Sequence, residues 1–224
     1  MSRTLPLFPL NTVVFPGMTV PLHIFEERYR ALVRELLEVR DPAQRVFGTV
    51  AIREGFEVGE SHGAQSLFRV GCVLQLTEVE SNDDGSFDVV AVGRGRLRLS
   101  SIVTDRPYPA GEVELLGDDH DDVVAPELVE RARSLFERYR VQLSHLHGEE
   151  VLTGSLPRDP AYLSWTLAAT TLLPMPDRQS LLEADDTHLR LAMITRLLRD
   201  EMRAMDVVPS LPAVDVARTG WSPN

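Results

Sequence analysis

The sequence predicts an α+β protein in which a β-rich N-terminal half precedes a helical C-terminal half. The first half contains short runs of β-branched and aromatic residues separated by glycine, proline and asparagine turns. From residue 126 onward, apolar residues recur at the spacing of an amphipathic helix. An acidic run bounded by glycine separates the two patterns. We therefore expect a β subdomain over 1–117, an acidic linker over 118–125, a helical subdomain over 126–205 and a flexible tail over 206–224.

The N-terminal stretch, residues 5–37, combines proline-punctuated strands with one amphipathic helix. Proline is incompatible with a helix interior and with a fully paired central strand. The four prolines of residues 6–21 therefore predict irregular strands packed by their side chains. A helix follows, because apolar residues then recur with a 3.6-residue period at Phe25, Tyr29, Leu32, Val33 and Leu36.

The remaining strands of the first half are predicted from β-forming residues between turn signals. They cover residues 46–52, 67–80, 87–92, 97–104 and 111–116. The segment 53–65 has three glycines and little periodicity, which predicts a loop. Residues 82–85, with the sequence NDDG, predict the tight turn of a hairpin.

The second half is predicted to contain four helices. The first forms an apolar stripe that ends at Gly148, a residue typical of helix C-termini. Residues that favour helix N-termini stand at the four expected starts: Pro126, Asp159, Asp177, and Asp186 or Thr187.

Composition limits the classes of function. The net charge of -11 and the pI of about 5.0 argue against a general nucleic-acid-binding protein, which needs a cationic face. The only cysteine, Cys72, cannot form an internal disulfide. No apolar run reaches the length of a membrane span, and the first residues lack the apolar core of a signal peptide. We therefore expect a cytoplasmic protein with no membrane partner.

The chain contains no lysine, so all 23 basic residues are arginine. This composition excludes, within this sequence, a serine–lysine dyad, a Schiff-base lysine and the lysine of a phosphate-binding loop.

Candidate catalytic and metal-binding residues are few. His145 and His147 lie two positions apart, so on a helix they point in different directions and do not converge on a metal. The acidic turn at 82–85 lacks the ligand pattern of a calcium-binding loop. His23 and Cys72 stand in apolar runs and are interpreted as core residues. We therefore predict no catalytic residue, metal or cofactor, and a protein that is not an enzyme.

Three N-terminal motifs carry a family resemblance: LPLFPL at 5–10, FPG at 15–17 and PLHIFE at 21–26, the last followed by RYR at 28–30. They resemble the N-terminal substrate-binding domain of Lon proteases, and most closely the small stand-alone proteins built from that domain without its ATPase and peptidase domains. The segments FRVGCV, VAVGRGR and RQSLLEADD extend the resemblance to about residue 205. The resemblance implies a PUA-like β pseudo-barrel with one helix, followed by a helical subdomain.

The resemblance also implies a non-catalytic protein that recognises exposed apolar segments of polypeptides and acts as an adaptor in proteolysis. The expected partners are unfolded or degron-bearing polypeptides and a protease. An exposed sheet edge can accept an added strand, with pockets for alternate side chains. The candidate binding surface is Phe15, Met18 and Val20 near the Pro-Gly turn, together with Phe56 in the long loop. The other interpretation is that these residues pack against the helical subdomain.

A second function, from a different class, is a PUA-like module that binds RNA or a small ligand. Arg94, Arg96 and Arg98 alternate along a predicted strand, so their side chains are expected on one face. The other interpretation is that they pair with Glu26, Glu27 or acidic loops. No aromatic residues for base stacking are interleaved with them, which favours ion pairing.

Overall fold

The computed structural model describes residues 2–53, 66–117 and 124–207. Within these residues the chain divides into two units, 2–117 and 124–207, which are described separately. Most of the expected linker, residues 118–123, and most of the expected tail, residues 208–224, lie outside the described residues.

The N-terminal unit contains one antiparallel sheet and one long helix. In chain order its elements are β1 (Ser2–Pro6), β2 (Thr19–Ile24), α1 (Glu27–Glu38), β3 (Val46–Thr49), β4 (Val70–Ser81), β5 (Phe87–Val103) and β6 (Ala110–Leu115). The strand order is β1-β6-β5-β4-β3, and β2 pairs with the first part of β5. The segment that follows β1 forms parallel bridges to the β3 region, Leu7 to Gly48 and Leu10 to Ala51. These bridges link the β1 end of the strand order to its β3 end, so the sheet closes on itself.

β5 is one strand of 17 residues, whereas the sequence predicted two strands separated at Gly93–Arg96. The glycines at this point do not form a turn. A Cβ on Gly93 would clash with the carbonyl oxygen of Phe15, so glycine is needed for the close approach of two backbones. A β-bulge lies here, since Leu74 is opposite Gly93 while Val73 is opposite Gly95.

Two hydrophobic cores lie on the two faces of β4. Its residues Cys72, Leu74 and Leu76 belong to a core that also contains the buried face of α1, whereas Val73 belongs to a core with Leu97. We call these the helix-side core and the barrel core. A strand that is buried on both faces needs a continuous apolar run, and β4 has one at residues 70–74.

Helix α1 confirms most of the predicted apolar stripe. Tyr29, Leu32, Val33 and Leu36 are buried, and all four belong to the helix-side core. Phe25 was predicted to begin this stripe, but α1 starts at Glu27 and Phe25 precedes it in the chain. Its side chain is 43% exposed.

The C-terminal unit consists, within its described residues, of four helices: α2 (Pro126–His147), α3 (Pro160–Thr170), α4 (Met175–Glu183) and α5 (Thr187–Val207). The caps of α2, α3 and α5 follow the sequence. Gly148 ends α2 in the left-handed conformation, Asp159 accepts a hydrogen bond from the Tyr162 amide at 3.0 Å, and Asp186 accepts one from the Leu189 amide. α4 differs, because it follows Pro174 and Asp177 lies in its first turn instead of capping it.

The core of this unit contains buried residues from all four helices, including Leu135, Tyr139, Leu163, Leu167, Leu181, Leu191, Ile194 and Leu198. The Tyr139 hydroxyl accepts a hydrogen bond from the Leu172 amide at 3.0 Å, which satisfies a polar group inside the core. Across the described parts of the chain, every helix is too short or too polar to cross a membrane.

Candidate functional site

The predicted polypeptide-binding residues differ in how far they are exposed to solvent. Phe15 is fully buried, with an exposure of 0%. Met18 and Val20 are half-buried and pack against the helix-side core. The prediction that Phe15 lies on a binding surface is therefore wrong, while Phe56 lies outside the described residues.

The Pro-Gly turn explains the burial of Phe15. The Gly17 amide donates to the Gly93 carbonyl at 2.9 Å, and the Gly93 amide donates to the Met18 carbonyl at 2.9 Å. These two bonds tie the turn to the centre of β5. The turn therefore holds Phe15 against the sheet instead of presenting it to solvent.

The three arginines predicted to share a face do not all share one, because a β-bulge separates Arg94 from Arg96 and Arg98. The β-bulge places an additional residue, Arg94, in β5, and side chains after a bulge alternate in the opposite phase. Arg94 is exposed and its Nε donates to Gln75 Oε1 at 2.7 Å. Arg96 lies opposite the buried Cys72 and is only 8% exposed. Arg98 is exposed, and its Nη1 lies 4.0 Å from Glu114 Oε2. This placement leaves no three-arginine patch for an anion.

β2 provides an open sheet edge. Among the described residues its only partner strand is β5. The Gly93 amide bonds to the Met18 carbonyl, and alternate residues of an antiparallel strand bond to the same neighbour. The backbone groups of Thr19, Pro21 and His23 therefore face away from β5. Pro21 has no N–H, so the middle of this edge lacks a donor.

The end of β2 meets the start of α1 at a corner that displays an aromatic ring. We call His23, Phe25, Glu26, Arg28 and Asp88 the β2 corner. The rings of His23 and Phe25 stack with centroids 6.0 Å apart. His23 Nδ1 lies 2.8 Å from Asp88 Oδ1, and Arg28 Nε donates to Glu26 Oε2 at 2.8 Å. These contacts hold the residues on both sides of Phe25 while its ring remains partly open to solvent.

The carboxylates near this corner are stabilised in their charged form. A hydrogen bond from Asn82, followed by one from His23, holds the pKa of Asp88 below the ordinary aspartate value. The Ser86 hydroxyl, followed by the Ser86 amide, lowers the pKa of Asp84 in the neighbouring hairpin turn. Both carboxylates are therefore ionised at neutral pH.

The candidate reactive groups are placed unfavourably for catalysis. Burial raises the pKa of the Cys72 thiol to about 12, so the nucleophilic thiolate is almost absent at neutral pH. His23 is not the core residue that the sequence suggested, because it lies half-exposed beside Asp88. The described residues contain no group of three side chains placed to hold a metal ion.

A surface cleft lies at the C-terminal end of α2. Its volume is about 430 Å³, and its lining includes Arg140, Val141, His145 and Glu150. Arg140 is already occupied, since its Nη2 lies 2.6 Å from Glu137 Oε2 and its Nη1 bonds to the Leu152 carbonyl. The lining also includes Ser144 beside His145, but the Ser144 hydroxyl donates to the Arg140 carbonyl at 2.8 Å, so it is not paired with the imidazole as an activated nucleophile would be.

Sequence reasoning missed Phe25 as a surface residue. Its spacing to Tyr29 fits the helical stripe, so periodicity alone predicts a core position for it. The available signal was the acidic pair Glu26-Glu27, because acidic residues are favoured at helix N-termini. That pair marks the start of α1 and places Phe25 before it.

Comparisons with known proteins agree on one family. The model of the ATP-dependent protease La (LON) substrate-binding domain matches residues 4–200. The Lon protease of Escherichia coli K12 is 31% identical over 91% of this chain and 25% of its own length. Lon protease 2 of Herpetosiphon aurantiacus is 28% identical over 91% of this chain and 24% of its own length. The chain thus spans about a quarter of the length of these relatives.

Solved structures support the same fold. The Lon N-terminal domain protein from Xanthomonas campestris superposes with a TM-score of 0.64 and 28% identity, covering 86% of this chain and 96% of that chain. The N-terminal domain of the Mycobacterium avium complex Lon protease superposes with a TM-score of 0.59. Its 17% identity makes it a likeness of fold alone.

Proposed function

We propose that this chain, which belongs to the family of Lon substrate-binding domains, recognises polypeptide segments that expose an aromatic or apolar side chain. Family membership supports a substrate-recognition role in general terms. The proposal adds a location, the β2 corner, and a type of contact, an apolar side chain of the bound segment packed on Phe25.

The observation that carries the proposal is the exposure of Phe25 at the open edge of a sheet. A phenylalanine that is 43% exposed, and whose neighbours His23 and Glu26 are held by hydrogen bonds, presents a fixed apolar surface. Aromatic residues are enriched among the side chains that dominate binding energy. Burying the exposed part of one ring contributes about 1–2 kcal/mol, which suits weak and reversible capture.

Binding through side chains fits this edge better than addition of a complete strand. An added strand gains affinity from an unbroken ladder of backbone hydrogen bonds. Pro21 removes a donor from the middle of the outward edge, and proline at such positions opposes pairing with another chain. We therefore infer that the backbone of a bound segment pairs at most locally, near Thr19 or His23, while its side chain contacts Phe25.

The test is fluorescence anisotropy with a labelled, permanently unfolded polypeptide at low and moderate salt. We expect saturable binding that persists at moderate salt and that Phe25→Ser weakens about tenfold, corresponding to about 1.4 kcal/mol. The control is Val141→Ser, which removes an apolar side chain with 54% exposure from the other unit. Equal affinity of wild type and Phe25→Ser, or equal weakening by both variants, would overturn the location.

We further propose that the captured segment is passed to a protease and that this chain contributes no chemistry of its own. The relatives that it matches are Lon proteases, which supports a role in proteolysis. A cytoplasmic location fits this role. The test is the degradation rate of an unfolded polypeptide by a Lon protease in the presence of this chain. We expect wild type to change the degradation rate at least twofold and Phe25→Ser to leave it unchanged. Equal effects of the two proteins would contradict delivery to the protease.

A further inference from the structure

We infer that the polypeptide segment bound at the β2 corner is basic, with lysine or arginine beside its apolar side chain. This inference rests on the proposed function and adds the chemical class of the bound segment. It comes from the outward face of the three-stranded part of the sheet formed by β2, β5 and β4, next to Phe25.

Strand register places carboxylates of two strands side by side on this face. His23 lies opposite Asp88 on β5, and Asp88 lies opposite Glu80 on β4. Glu78 comes two residues before Glu80 on β4 and lies opposite Val90. Both glutamates are exposed. We call Glu78, Glu80 and Asp88 the acidic face.

Like charges directly opposite on neighbouring strands repel each other. Asp88 receives hydrogen bonds from His23 and from Asn82 at 2.8 Å each, so its charge is partly compensated. Glu80, beside it, receives no such hydrogen bond from the described residues. A cation brought by a bound segment would relieve this repulsion.

The acidic face also carries apolar surface. Val90 and Val92 are half-buried, and Pro21 lies opposite Val90 on the exposed side of β2. The face is continuous with Phe25 through the stacked ring of His23. A bound segment matches this combination of apolar and acidic groups if its aromatic side chain packs on Phe25 and a nearby lysine lies over Glu78 or Glu80. The net charge of -11 adds a long-range electrostatic attraction for a basic segment.

The test compares three labelled peptides that are identical except for the residues beside one central phenylalanine, which are lysine, glutamine or glutamate. We expect affinity to decrease in that order, with lysine about tenfold tighter than glutamate at low salt and the difference smaller at moderate salt. The double variant Glu78→Gln with Glu80→Gln is expected to remove most of the lysine preference.

The matched control is Glu127→Gln with Glu130→Gln on α2, which changes the net charge equally at exposed positions of the other unit. A lysine preference that both double variants reduce equally, or that neither reduces, overturns the assignment to the acidic face.

The outcomes also separate this inference from the function on which it rests. Equal binding of all three peptides, lost in Phe25→Ser, overturns the basic preference and supports polypeptide recognition. Binding of none of the three peptides, nor of the unfolded polypeptide, overturns both.

Discussion

Nδ1 of His23 lies 2.8 Å from Oδ1 of Asp88, the residue directly opposite it on β5. This bond fixes the imidazole against the ring of Phe25, whose centroid is 6.0 Å away. Side chains that are already ordered lose less conformational entropy when a partner binds. If the β2 corner binds a segment as proposed, the pair orders it for contact before the partner arrives.

The two phenylalanines near β2 are expected to behave in opposite ways. Phe15→Ser removes a fully buried ring and is expected to lower the free energy of unfolding by more than about 3 kcal/mol. Phe25→Ser removes a half-exposed ring outside the core clusters and is expected to cost less than about 1 kcal/mol. Urea unfolding followed by circular dichroism measures both values. Similar losses in the two variants would contradict the placement of Phe25.

Protonation of Asp88 is expected to weaken the fold in acid. Its pKa in the folded protein is below the unfolded value, because Asn82 and His23 donate hydrogen bonds to the carboxylate. The resulting stability is present above the unfolded-state pKa of about 4 and is lost as the pH falls through the lower folded pKa. Urea midpoints at about pH 6 and about pH 3 are expected to differ less in Asp88→Asn than in wild type.

The control for this pH dependence is Glu38→Gln, which removes an exposed carboxylate at the end of α1. It is expected to retain the pH dependence of wild type. If Glu38→Gln reduces the difference between the two urea midpoints as much as Asp88→Asn does, the pH dependence is not specific to Asp88.

Cys72 is expected to resist thiol reagents in the folded protein. The thiol is buried, and burial raises its pKa to about 12. Labelling with iodoacetamide at about pH 8 should be at least about a hundredfold slower in the native protein than in urea. In the native protein the reagent cannot reach the sulfur, and the thiol is almost fully protonated. Mass spectrometry over time measures the two rates. Comparable rates would show that β4 opens readily.

Pro21 is expected to keep the β2 edge from pairing with another molecule. Pro21→Val restores the missing N–H, and valine also favours strands. We expect the variant to self-associate at concentrations where wild type does not, as measured by analytical ultracentrifugation. Thr19→Val, on the same exposed side of the strand, adds apolar surface without adding a donor and serves as the control. Association of both variants would attribute the effect to apolar surface alone.

The helices were the most predictable part of the fold. In α1 the buried positions Tyr29, Leu32, Val33 and Leu36 were all in the predicted stripe, because a helix repeats its faces within a few residues of the chain. The caps at Asp159 and Asp186 were predictable for the same local reason. Phe25 fits the same spacing but precedes the helix, so periodicity alone assigned it to the wrong environment.

The surface proposed for binding was less predictable, because it depends on pairings between distant residues. The arginines of β5 were expected on one face by strand alternation, and the bulge that changes their phase comes from the pairing of β5 with β4. Phe15 was expected at the surface, and the hydrogen bonds between the Pro-Gly turn and Gly93, 76 residues after Gly17, bury it.

The family, the α+β class, the order of β-rich and helical parts and the acidic charge were all predictable from the amino-acid sequence. These properties depend on local patterns of residues and on composition. Which apolar side chains remain exposed, and which charges lie together, depends on how distant strands pair. Strand register and the position of a single bulge determine the direction of each side chain, and both arise from backbone hydrogen bonds between residues far apart in the chain.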